Sequence, residues 1–382
     1  MISMLFTGDI AIQGDAALNI SENVKAKFES YDIRVCNFEG PLGKMEDYEK
    51  SVKAGPHILQ SPGSIDVTEK LGFNLYGLAN NHIMDYGKPC LNHTEESILS
   101  RGAEYIGVGQ TEEDACRPYI LEKDGMKIAI LCAAENSFGV LNEHEEYGHA
   151  WLFSKVLKER IIELRKTCDK LVLLAHAGLE NVNVPMPEWV DIYRYFIDLG
   201  VDVIIGSHPH VLQGWEKYKN GLIFYSLGNF LWQRRKSRFS DIKTIAVGII
   251  FDSDKISYEV IDVAVQDDCL ILDEDDATLV NLQEYCELLK DENRAKLCSI
   301  VDRFCLDQYV NSFSIYLSVA CGYLRPKTFK QYLRSVYKSV FLKCNIDDSY
   351  VFHNCAVETN NFVCQRAIGA KKQREVGVQF KR

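Results

Sequence analysis

Histidine, aspartate, glutamate and asparagine recur in six short segments of this chain: Gly8-Asp9, Asn37-Phe38-Glu39-Gly40, Ala79-Asn80-Asn81-His82, His176-Ala177-Gly178-Leu179-Glu180, Gly206-Ser207-His208-Pro209-His210 and Ser226-Leu227-Gly228-Asn229-Phe230. Four of the nine histidines lie in them. Neutral imidazole and carboxylate together suit zinc, manganese, iron or nickel better than calcium. A single His or Asp in a turn is more often a cap or a surface residue, but six such turns in order are hard to explain that way. In His208-Pro209-His210 the proline pushes the preceding residue toward extended geometry. Two residues apart in an extended chain, both imidazoles can point the same way, toward one metal or two adjacent ones. Two surface histidines in a loop remain the plain alternative for that segment by itself.

Each segment follows a run that reads as a strand: residues 4–7, 33–36, 75–78, 171–175, 203–205 and 222–226, with a further run at 128–132. Several are apolar throughout, as strands buried on both faces tend to be. Amphipathic stretches at 64–71, 154–168 and 187–199 read as helices, the last stopped by Gly200. Strand and helix in alternation predict an α/β fold, in which ligands gather at the carboxyl ends of strands. Residues 244–251 and 257–265 follow without a helix between them and read as an antiparallel pair.

The chain's character changes at Gln266. Residues 267–276 are acidic and read as a solvated linker; helical patterns follow at 279–289, 295–310 and 327–342. The expected organisation is a domain over 1–265 and a linker plus helical region over 266–382. Residues 325–343 carry Arg325, Lys327, Lys330, Arg334, Lys338 and Lys343 among aromatic and aliphatic residues, with no acidic residue. That pattern fits a packed helix with a solvated positive face, the plainer reading, or a membrane-surface contact.

Composition narrows the functional classes. Apolar residues make up 47% and charged residues 25%, an ordinary globular balance. A net charge of −11 argues against a dedicated nucleic-acid binder, because phosphate neutralisation needs a basic footprint. No run reaches the roughly 20 apolar residues that span a bilayer. The first seven residues lack a positive stretch and read as a first strand, not as a signal peptide. Thirteen scattered cysteines without a CxxC pair point to reduced thiols and a cytoplasmic location.

Taken in order, the six segments, with Asp85-Tyr86-Gly87 after the third and Val211 after the fifth, resemble the signature of the CapA-type poly-γ-glutamate capsule-synthesis family (PGA_cap). That family is similar to calcineurin-like metallophosphoesterases, and the resemblance covers about residues 2–265. It implies a four-layer αββα sandwich of metallophosphoesterase type, with a C-terminal mainly helical region beyond it. It also implies one or two divalent ions (manganese, iron or zinc). Asp9 and His210 would bind the first, Asn81, His176 and His208 the second, and Glu39 would bridge them. His82 would be the general acid, with Glu180 and Asn229 contacting substrate or supporting ligands. The chain departs from the wider pattern at Ala11, where a His is usual, at Glu39, where an Asp bridges, and at Ala177, where the capsule family usually has Trp.

The function expected is a metal-dependent hydrolase of phosphoesterase type, linked to capsule or cell-surface polymer metabolism and acting on a phosphorylated or polyanionic substrate. A non-catalytic accessory that binds a polyanion or polyglutamate chain is the alternative from another class. An amide hydrolase is a third reading, since a metal-activated water attacks carbonyl carbon as well as phosphorus.

Overall fold

The segment ISMLFTGDIAI forms β1 (Ile2–Ile12), buried at nearly every position and therefore placed in the interior of a sheet. The structure, a computed structural model, describes residues 1–308 except 16, 54, 142–145, 236, 254 and 274–276, together with residues 357–379. Nine strands form the first sheet. Its order is β2 (Asn19–Ile20), β17 (Cys269–Leu272), β16 (Ile256–Gln266), β15 (Ile242–Phe251), β1, β3 (Ile33–Phe38), β4 (Leu75–Gly77) and β5 (Glu104–Ile106), with β14 (Asn229–Gln233) also paired to β1. The second sheet runs β12 (Trp215–Tyr218), β13 (Gly221–Phe224), β11 (Val203–Ser207), β10 (Lys170–His176), β8 (Met126–Ala134) and β7 (Tyr119–Lys123). A small third pairing joins β6 (Val108–Gly109) to β9 (Gly148–His149).

Period-two alternation makes both faces of the first sheet apolar. Met4, Phe6, Val35 and Leu75 face one way and meet Ile130, Cys132, Val172, Leu174, Val203 and Phe224 of the second sheet in one core. Leu5, Cys36 and Tyr76 face the other way, against α1 (Glu22–Glu29), α2 (Ser64–Lys70) and α3 (Gly87–Leu99), which bury Val24, Phe28, Ile65, Leu91 and Ile98. After the short α4 (Glu112–Ala115), α5 (Lys155–Thr167) and α6 (Pro187–Leu199) pack on the outer face of the second sheet. The result is a four-layer αββα sandwich.

Local signals fix these helices. Ser154 accepts the Leu157 amide at 3.0 Å and caps α5. In α6 a proline stands at the start and Gly200, at φ 122°, ends it. Trp189, Tyr193 and Phe196 lie on its buried face. Each such large apolar side chain contributes about 1.5–3 kcal/mol by leaving water.

The acidic stretch read as a linker has a different role in part. Asp267 and Asp268, at φ 49° and 58°, form a two-residue turn between β16 and β17. A tight hairpin needs two left-handed residues, and Asp tolerates that conformation. Leu270 of β17 is fully buried. The first compact unit comprises Met1–Ser51 and Pro56–Leu297, so it also takes in α7 (Ala277–Leu288), whose Leu282 belongs to the core between the sheets.

A second unit comprises Val52–Gly55 and the chain from Cys298 onward. Described within it are most of α8 (Arg294–Gln308) and α9 (Glu358–Gln379). Val301, Cys305, Val363 and Ala367 are buried there, and Arg366 pairs with Asp302 at 2.7 Å. The basic segment 325–343, read as a candidate membrane-surface contact, lies outside the described residues.

One close approach ties the fold to the chemistry. A Cβ on Gly8 would lie 1.9 Å from the carbonyl oxygen of Gly228, so only glycine lets β1 come this near to the segment entering β14. The neighbouring Asp9 amide donates to that same carbonyl at 2.8 Å. Gly8→Ala is expected to destabilise the protein by about 1–3 kcal/mol, a typical overpacking cost. In urea denaturation, Gly63→Ala serves as control, since a Cβ there meets nothing within 4 Å.

Candidate metal centre

Asp9 lies inside β1, not in a turn after it as the sequence reading had it. Its pairing register shifts there against both β3 and β14. Such an irregularity re-aims a side chain without ending the strand. The fully buried Asp9 carboxylate accepts from Asn37 Nδ2 at 2.7 Å and from the His208 amide at 3.2 Å. His210 Nδ1 stands 3.3 Å from its Oδ2. Glu39 follows β3 directly, and its Oε1 lies 3.8 Å from His210 Nε2 and 3.7 Å from His82 Nε2.

His176 ends β10, with Nε2 at 3.0 Å from Asn81 Oδ1 and 3.1 Å from His208 Nδ1. Its Nδ1 meets Asn37 Nδ2 at 3.2 Å and Ser207 Oγ at 3.1 Å. The geometry therefore brings Asp9, Glu39 and His210 together on one side, and Asn81, His176 and His208 on the other. His82 stands over Glu39, held by Asp85, whose Oδ2 is 2.6 Å from its Nδ1.

The two remaining expected residues occupy different positions. Asn229 opens β14 instead of closing a strand, and its Oδ1 lies 3.0 Å from His210 Nδ1. Glu180 is half exposed at the rim, with Oε1 at 3.9 Å from His208 Nε2.

The His208-Pro209-His210 segment is not extended. His208 and His210 have φ of 94° and 60°, the left-handed region. This turn lets the His208 amide reach Asp9 while both rings enter the site, their centroids 5.9 Å apart. Proline's influence on its predecessor is outweighed here by the buried carboxylate's need for donors.

Three contributors escaped the sequence reading as site residues. Glu135, 2% exposed, follows β8 and places Oε1 at 3.5 Å from His208 Nε2. Its signal was the same strand-end position as the others, hidden because the strand was read as ending at 132. Asn37 was quoted in its motif but given no role. Trp232 packs edge-on to His210 with ring centroids 5.0 Å apart, and nothing in its local sequence marks it.

Charge divides the site. Burial pushes Glu39 up from an ordinary 4.5 to about 8, with Asp9 adding to the shift and His210 opposing it. Burial also pulls on His210, but Glu39 and Asp9 outweigh it and raise that imidazole to about 10. His176 and His208 go the other way: burial holds His176 well below its ordinary value and His208 near 4. They are therefore neutral at pH 7, the form that donates a lone pair to a metal.

A divalent cation fits this donor set. Both carboxylate oxygens of Glu39 are buried without a hydrogen-bond partner among the described residues. Such an orphaned charge is costly unless something compensates it. Asp9, Glu39 and His210 each offer an atom within 4.8 Å of the others, as do Glu180, His208 and His210.

Comparison with known proteins agrees with the order of the motifs. Residues 3–234 match the family described as "Bacterial capsule synthesis protein PGA_cap", and the chain belongs to that family. It is 29% identical over 229 residues to "Capsule biosynthesis protein CapA" of Bacillus anthracis, covering 58% of this chain and 56% of that protein. It is 30% identical over 260 residues to "PGA biosynthesis protein CapA" of Bacillus subtilis (strain 168), covering 63% and 66%. The match thus spans less than two thirds of either relative's length. Among solved structures it is similar to Haemophilus influenzae NAD nucleotidase, at 13% identity and a TM-score of 0.38, over 81% of this chain and 71% of that one.

Glu39 makes the metal-free protein sensitive to alkali. Its folded-state pKa lies above its unfolded one, so the unfolded state loses the proton first as pH rises. Stability in the presence of chelator is expected to fall, relative to Glu39→Gln, as pH rises from about 4.5 through about 8, and further toward about 10 as His210, raised by Glu39, loses its proton. Urea denaturation of both proteins across that range measures it.

Proposed function

We propose that this chain is a metal-dependent hydrolase of phosphoesterase type, acting in capsule or cell-surface polymer metabolism. The observation that carries the reading is Glu39: a fully buried carboxylate, unpartnered at both oxygens, flanked by Asp9, His210 and His82. Asp9, Glu39 and His210 would hold one divalent ion, and Asn81, His176 and His208 a second, with Glu39 placed to serve both. Manganese, iron or zinc suits this mixture of imidazole, carboxylate and amide oxygen. Such ions would supply polarisation of a phosphoryl oxygen and acidification of a water.

The chain's own residues supply the rest. Asp85 accepts from His82 Nδ1, which fixes the ring and leaves Nε2 aimed at the centre beside Glu39. A proton carried on His82 Nε2 would pass to the leaving oxygen of the ester. Glu180, half exposed at the rim, and Asn229, against His210, would meet substrate or steady the ligands. The family's tie to capsule synthesis, and the naming of the Bacillus subtilis relative for PGA biosynthesis, support a phosphorylated polymer precursor or a polyanionic polymer as substrate. The scattering of thirteen cysteines without a CxxC pair supports a cytoplasmic setting for the reaction. The chain from Cys298 onward, which belongs to the second compact unit, is proposed as a separate appendage to the catalytic domain.

Elemental analysis of protein purified without added metal is expected to find manganese, iron or zinc near stoichiometry, lost in a His208→Ala/His210→Ala variant. On a panel of phosphomonoesters, phosphodiesters and anionic polymers, His82→Ala is expected to keep its metal and lose about 10²–10⁴-fold in kcat, the usual weight of a general acid. Metal-loaded wild type that binds a polyanion and cleaves nothing would move the assignment to a binding accessory. Protein that takes up no metal even after reloading would remove the metal centre itself.

A further inference from the structure

A chain of hydrogen bonds sets the protons on the two neutral imidazoles. Asn37 Nδ2 lies 2.7 Å from Asp9 Oδ1, and a carboxylate oxygen can only accept, so the amide nitrogen of Asn37 must be the atom facing it. That same nitrogen is 3.2 Å from His176 Nδ1, which must therefore accept and carry no proton. The His176 proton then sits on Nε2, directed at Asn81 Oδ1 and His208 Nδ1. His208 Nδ1 accepts in turn, and its ring proton is left on Nε2. What faces that Nε2 is Glu135 Oε1 at 3.5 Å, with Glu180 Oε1 at 3.9 Å.

Glu135 is built into this place. Its backbone amide donates to the His176 carbonyl at 3.1 Å, and its Oε1 accepts the Gly178 amide at 3.2 Å. A carboxylate 2% exposed is thereby stitched to the strand end that carries His176 while it points at the ring of His208. Glu180 meets the same nitrogen from the half-exposed rim at the longer distance of 3.9 Å, whereas Glu135 meets it from the buried side.

We propose that Glu135 is a positioning residue: its buried carboxylate holds the His208 ring in the Nε2–H tautomer and turns the Nδ1 lone pair toward the His176–Asn81 group. The left-handed backbone at His208 needs such a hold, because φ of 94° is unfavourable for a side-chain-bearing residue. Second contacts of this kind, on the nitrogen opposite a ligating one, fix tautomer and ring orientation in metal sites. The consequence for metal affinity rests on the function proposed above; the tautomer itself does not.

The test reads these two levels separately. In metal-free, ¹⁵N-histidine-labelled protein at pH 7, the His208 nitrogen shifts, assigned with His208→Asn, are expected to report a proton on Nε2. Glu135→Gln keeps an oxygen for that N–H and is expected to keep the tautomer, whereas Glu135→Ala is expected to give a mixture or the Nδ1–H form. In chelator competition, Glu135→Ala is expected to weaken uptake of the second ion by about 10–100-fold, with Glu135→Gln closer to wild type. A wild-type Nδ1–H tautomer, or an unchanged tautomer and affinity in a folded Glu135→Ala variant, overturns the proposal. Equal loss of affinity in both variants, with the tautomer kept, would make Glu135 a direct ligand and also overturn it. Wild type that binds no metal but shows the Glu135-dependent tautomer would count against the hydrolase reading alone.

Discussion

Two buried carboxylates, Asp9 and Glu39, impose the constraint around which this site is arranged. An ionised carboxylate removed from water is costly unless donors or positive charge surround it. Asp9 meets that requirement from three directions: the Asn37 amide, the His208 backbone and the His210 ring. Asn37 comes from β3 in the first sheet and both histidines from the loop after β11 in the second, so satisfying one buried charge draws the two sheets to a common point. The Glu39 carboxylate has no hydrogen bond among the described residues, and burial raises its affinity for a proton.

The same carboxylates divide the histidines. His210 stands against both and is held protonated in the metal-free protein. His176 and His208 sit farther from them and closer to one another, where burial keeps both neutral. A cation entering the first group must therefore displace the His210 proton, whereas in the second the His208 Nδ1 lone pair already faces the site and only the His176 Nε2 proton has to move. The asymmetry follows from surroundings and not from residue type: Glu39 and Asp9 outweigh burial at His210, whereas burial dominates at His176 and His208.

The sandwich supplies the rigidity that such a site needs. Two sheets sharing one apolar core fix the ends of β1, β3, β10 and β11 relative to each other. Loops leaving those ends inherit that precision. Gly8 and Gly206 add to it where backbones nearly touch: a Cβ on Gly206 would lie 2.0 Å from the Tyr225 carbonyl oxygen. Glycine at these points lets β1 and β11 run beside the segment that carries Asn229, so Asp9 and His210 meet it directly.

Much of this was legible in the amino-acid order. Apolar runs buried on both faces announced β3, β8, β10 and β11, because a strand covered on both sides has no polar face to confuse the reading. Pro187 and Gly200 bounded α6 because end chemistry is local. The helix α3 was passed over although Cys90, Leu91, Thr94 and Ile98 line one face, since a Gly, a Pro and polar residues break the apolar pattern. Asp267-Asp268 is a hairpin corner and not a linker, and acidity in sequence does not distinguish a solvated tether from such a left-handed turn.

The residue types at the strand ends were sufficient to nominate Asp9, Glu39, Asn81, His82, His176, His208 and His210 as one group. Spacing and periodicity in the linear chain mark the six strand-end segments, and the resemblance to the capsule-synthesis family singles out these residues within them. Which imidazole faces a carboxylate, which nitrogen carries a proton, and that Glu135 and Trp232 complete the surroundings depend on contacts between segments far apart in sequence. Burial and charge act through space at a few ångströms, and only the folded sheets set those distances.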